Sequence, residues 1–193
     1  MKTSLEAETT LFDYFHGRVR DARGMADVGL SEDTTLYLTA LLVDRARTDT
    51  PRPEEDTLAE LHARAAAAPP AEQARTYREL GDRSLYRVGY FEESLSRSAV
   101  GVGYYCDMGA AAYHQADRVF KRWFANAFDR VFEELSAGFR DCVVVLKQVR
   151  AAVDDEPDAL MRLYQEWLDT GSRAAASRLR ERGLLLPPRL SEA

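Results

Sequence analysis

Lysine is almost missing from this chain: Lys2, Lys121 and Lys147 are the only lysines among 26 basic residues, and 32 acids bring the formal net charge to −6. That balance excludes a nucleic-acid binder with a broadly basic face that displaces counterions from phosphate, although a local basic patch stays open. Cysteine is as scarce. Cys106 and Cys142 are too few and too widely spaced for a disulfide framework or a zinc knuckle. No apolar run approaches the ~20 residues that span a bilayer, and the N-terminus lacks the basic, apolar, small-residue order of a secretory signal. The expectation is a cytoplasmic protein without membrane insertion.

Signatures of chemistry are missing too. No Gly-x-Ser-x-Gly elbow and no Gly-Lys-Ser/Thr phosphate loop occurs, and no glutamate stands three residues before His16, His62 or His114, as the di-iron bundles require. His16, beside Phe12, Tyr14 and Phe15, is the one position where an axial haem ligand is conceivable, and nothing else favours it. No cofactor, metal or catalytic residue is expected.

What is present is helical period. At 193 residues, 46% hydrophobic and 30% charged, the chain can bury a core without metals or disulfides. Strand alternation is absent, while apolar residues recur at steps of three and four. A first helix is read over about residues 5–25, with Leu11, Phe12, Phe15 and Val19 on one face. A second starts at Ser31, whose Ser-Glu-Asp-Thr opening supplies a cap and early acids. Residues 49–56, "DTPRPEED", read as a mobile linker. A short helix over 58–68 then stops before Pro69, and Pro70 opens the next, which Gly81 and Gly89 punctuate with an expected kink.

From 118 to about 153 the spacing predicts one long helix, roughly 50 Å at 1.5 Å per residue, as the spine of the fold. Another follows over 159–170 with Gly171 as its stop, then a last one to 182. The expected architecture is all-α: a single bundle of about six to eight helices around one long central helix. It is expected to form one domain over 1–183, with an extended tail over 184–193.

The stretch "GVGYYCDMGAAAYH", residues 101–114, looks most like a site. A dinucleotide loop fails because Cys106 stands at the third glycine position and no strand precedes it. A helix fits, with Ala99, Gly103, Cys106 and Ala110 on one line of small residues and Val102, Tyr105, Gly109, Ala112 and Ala116 on the next. Such lines let another backbone come close, so this helix is expected to be buried, and Gly103→Leu to overpack it. Asp107, His114 and Arg118 form a polar line on the same helix, with Tyr104 and Tyr113 beside it. These five are the candidate ligand-binding residues, because a polar line on a buried helix is either paired or lines a cavity. The arginine clusters at 18–23 and 178–182 read as solvated faces, with docking of an acidic partner as the sharper alternative.

The segment "LGDRSLYRVGYFEESLSRSAVGVGYYCDMGAAAY", with "YLTALLVDRAR" before it and "LMRLYQEWLDTGS" after it, resembles a group of small all-helical bacterial proteins of unknown function. The resemblance implies a helical fold and brings no activity or functional residue with it. The reading that remains is a non-enzymatic protein acting through protein–protein contact or regulation, its partner another protein or a second copy of itself. The alternative is a bundle that binds a small apolar or aromatic ligand in an internal cavity, an enzyme among the options.

Overall fold

A computed structural model describes residues 2–47, 57–95, 101–123, 130–154, 164, 167 and 171–181. All regular structure among the described residues is helical: α1 Lys2–Met25, α2 Glu32–Arg47, α3 Leu58–Ala67, α4 Pro70–Leu95, α5 Val102–Trp123, α6 Val131–Ala137, α7 Phe139–Asp154 and α8 Arg173–Glu181. No described helix is long and apolar enough to cross a membrane. The chain separates into two compact units, residues 1–149 and 150–193. The linker and tail expected at 49–56 and 184–193 lie outside the described residues.

Local chemistry sets the helix ends. Ser31 caps α2, its Oγ accepting from the Thr34 N–H at 3.2 Å. Thr57 and Glu60 form a reciprocal capping box at the start of α3. α1 ends in a Schellman arrangement, with Val28 N–H on the Arg23 carbonyl and Asp27 N–H on the Gly24 carbonyl. That motif puts Asp27 in the left-handed region, at φ 53°. In the second unit Gly171 is left-handed as well, at φ 69°, its N–H on the Trp167 carbonyl at 3.0 Å; most of the helix expected over 159–170 lies outside the described residues. Ser172 then caps α8, whose Ala175, Ala176 and Leu179 pack with Trp167 and Tyr164.

The central helix of the bundle is α4 rather than the run 118–153. That run is divided: α5 carries on through Arg118 to Trp123, and Gly138 separates α6 from α7. The apolar stripe persists across these breaks because each piece buries its own face, so periodicity alone does not reveal the interruptions. α4 packs mainly against α5 and α3, with α5 against α6 and α1 against α2. The kink expected in this segment falls at Phe91 (φ −132°, ψ 27°), and the helix is regular at Gly81 and Gly89. The two glycines admit neighbours instead of bending the helix. A Cβ on Gly81 would lie 2.6 Å from the Tyr113 ring, and one on Gly89 2.7 Å from Leu146 Cβ. Gly109 does the same for α5, where a Cβ would meet the Phe139 ring at 2.4 Å.

Gly103 is different. It is exposed, with nothing within 4 Å of a built Cβ. The close-packing line on α5 is therefore the second of the two read from the sequence, with Cys106 joined to Gly109, Ala112 and Ala116. The overpacking expected at Gly103 belongs to Gly109.

Candidate functional site

α5 has two faces of opposite character, and the five candidate residues divide between them. Tyr113 belongs to the inner face, with 0% of its surface exposed. Its hydroxyl donates to Asp82 Oδ1 at 2.7 Å, and Tyr37 from α2 donates to the same oxygen at 2.6 Å. Arg78 Nε lies 3.5 Å from Asp82 Oδ2, with its guanidinium 5.6 Å from the Tyr37 ring centre. Burial pushes the Asp82 carboxyl upward against the pull of Tyr37, Tyr113 and Arg78. Burial, and then the carboxylate beside it, drive the Tyr113 phenol well above its ordinary value, so it remains an O–H donor. This network ties α2, α4 and α5 together. Its acceptors and donors are used on one another in the core.

The outer face carries Tyr104, Asp107, His114 and Arg118, all exposed, at steps of three, seven and four. The polar line thus looks outward from a helix whose opposite side is buried, instead of lining the interior. Asp107 is 82% exposed and, among the described residues, meets Arg140 Nη2 of α7 at 3.9 Å. His114 and Arg118 hold no hydrogen bond or ion pair with a described residue. The outer face continues to Arg122, while Trp123, the last residue of the helix, follows the phase of the inner face and is 57% exposed there, with the Arg122 guanidinium 5.6 Å from its ring centre. Between the inner and outer faces, Lys121 is held by Asp117 at 3.0 Å and by Glu133 of α6 at 2.9 Å.

Beside Asp107 a surface cleft of about 330 Å³ opens between α5 and the α6–α7 corner, lined by Cys106, Asp107, Ser136, Gly138, Phe139 and Arg140 among others. Burial raises the Cys106 thiol more than Arg140 lowers it, so it stays protonated and is a poor nucleophile. Cys142 is pushed up to about 12 by burial. Among the described residues no three His, Cys, Asp or Glu side chains gather to hold a metal. His16 Nε2 is hydrogen-bonded to Glu32 Oε1 at 3.2 Å.

Two arrangements escape a reading of the sequence. Glu134 of α6 reaches over to the start of α2, accepting from the Ser31 N–H at 2.7 Å and from the Ser31 and Thr34 hydroxyls. These residues lie about a hundred positions apart, so no local pattern signals the contact. The buried Asp82 has a weak signal, a lone acid between Leu80, Gly81, Ser84 and Leu85, all buried. The arginine cluster near residue 20 is partly structural: Arg23 donates to the Leu30 carbonyl and to Thr35, each at 3.0 Å.

Compared with protein-family models, curated proteins and solved structures, the chain finds no match in any of the three, so its function is argued from the geometry of α5 alone.

Proposed function

We propose that this chain is a non-enzymatic, cytoplasmic protein-interaction module, and that the outer face of α5, from Tyr104 through Asp107, His114 and Arg118 to Arg122, meets a protein partner. One observation carries the reading. The inner face of α5 is engaged in the core, while the outer face combines the exposed Tyr104, His114, Arg118 and Arg122 side chains with almost no use by other described residues. Tyr and Arg are among the residues that interfaces concentrate at their energetic centres. The cavity-binding alternative is less supported, because of the five candidates only Tyr113 faces the interior, where it is committed to Asp82 and its ring fills the space over Gly81.

The test separates structure from docking. His114→Leu and Arg118→Ala each remove an exposed side chain without a described partner, so unfolding free energy is expected to stay within ~0.5 kcal/mol of the parent. Recovery of a partner protein on the immobilised chain is expected to fall. Unchanged recovery for both variants overturns the assignment of this face.

A further inference from the structure

We infer that the partner presents an acidic protein segment to the C-terminal half of this face, where His114, Arg118 and Arg122 receive its carboxylates. This rests on the interaction reading above and adds the chemistry of the partner.

The three basic residues fall at successive fourth positions, so they rise about 6 Å apart along one side of α5. All three are exposed, and among the described residues no acid pairs with them. Lys121, beside them, shows what engagement looks like here, with two carboxylates within 3.0 Å. A helix dipole explains basic residues only in the last turn, which covers Lys121 and Arg122 but not Arg118 or His114. The line is a local reversal of sign on a chain of net charge −6. An acidic segment is repelled by most of the molecule and steered to this strip, which orients it.

The same arithmetic favours a protein segment over nucleic acid. A polyanion longer than the strip meets the chain's overall negative charge, and Glu133 beside Lys121 and Asp107 up the helix bound the basic line. A helix with glutamates four residues apart repeats at the spacing of the arginines.

The test uses fluorescence anisotropy with the full chain and three labelled probes. One is a short helical peptide with glutamate at every fourth position and leucine between, the second its lysine counterpart, the third a single-stranded oligonucleotide of equal charge to the first. The glutamate peptide is expected to bind, to weaken at least about fivefold as salt shortens the screening length, and to be lost in Arg118→Glu/Arg122→Glu, whose melting temperature matches the parent. Absence of binding to the parent, binding that survives the double reversal, or an oligonucleotide that binds as tightly as the peptide overturns the inference. If His114→Leu still lowers partner recovery in that case, the interaction surface stands and only the acidity of its partner is lost.

Discussion

Gly109→Ala is the sharpest perturbation of the fold. The added Cβ would lie 2.4 Å from Phe139 Cζ, 2.5 Å from its Cε2 and 2.8 Å from Ser84 Cβ. Ordinary carbon contacts sit at about 3.5–4.0 Å, so α5 must back away by roughly 1 Å from two neighbours at once. Phe139 is 2% exposed and packs against Tyr113 with ring centres 6.0 Å apart, which leaves its ring no easy retreat. Alanine regains ~1 kcal/mol of helix propensity. Overpacking a filled core costs ~1–3 kcal/mol, and blockage on two sides places this case toward the upper end. The expected net loss is about 1–2 kcal/mol, and with a urea slope near 2–3 kcal/mol per molar the midpoint should fall by about 0.5 M. Gly17→Ala is the matched control, since nothing lies within 4 Å of its built Cβ on the exposed side of α1, and it should gain up to ~1 kcal/mol. A Gly109→Ala midpoint equal to or above the parent's refutes the close approach of α4, α5 and α7.

Asp27→Gly should stabilise by about 0.5–1 kcal/mol, because it relieves a left-handed residue and removes an acid from the negative end of α1; thermal melts check it, and a loss of stability contradicts the Schellman assignment. Glu134 feels burial that raises its carboxyl, but the Ser31 and Thr34 hydroxyls and the Ser31 N–H outweigh it and hold it below the ordinary value of 4.5. Its contribution is thus complete above that value and is lost as pH falls through the lower folded value. Glu134→Gln should cost about 1 kcal/mol at neutral pH, with the gap to the parent narrowing in denaturation curves taken below pH 4.5; a gap constant with pH contradicts the cap. Cys142, buried with its thiol pushed up to about 12, should react with a thiol reagent only at the rate of unfolding, and labelling of the native protein within seconds contradicts its place in the core.

Helix content was legible in the sequence because amphipathic period, caps and prolines are local. Ser31 and Pro70 opened helices where their chemistry said they would, and Gly171 took the left-handed turn expected of a stop. Long-range relations were not legible. The apolar stripe through residues 118–153 does not distinguish one long helix from shorter pieces that each bury the same phase, and the hinge at Gly138 resembles any glycine in a packed helix. The two small-residue lines on α5 look alike until α4 and α7 select the one through Gly109 and leave Gly103 in solvent. The candidate line Asp107, His114, Arg118 was visible as a line. Its direction was not, because a step of seven and four fits a buried stripe as well as an exposed one. Tyr113, adjacent to His114, lies 100° round the helix, and that rotation separates a core residue from a surface one.

The central claim, that the outer face of α5 is the working surface, is tested most directly by placing a photo-reactive amino acid at position 114 and, as control, at the exposed position 66 of α3. Both proteins are irradiated in the cells that naturally make the chain. A discrete protein adduct is predicted from position 114, absent from position 66 and abolished by Arg118→Glu/Arg122→Glu. Equal adducts from both positions, or none from 114 with the chain folded, contradict the account.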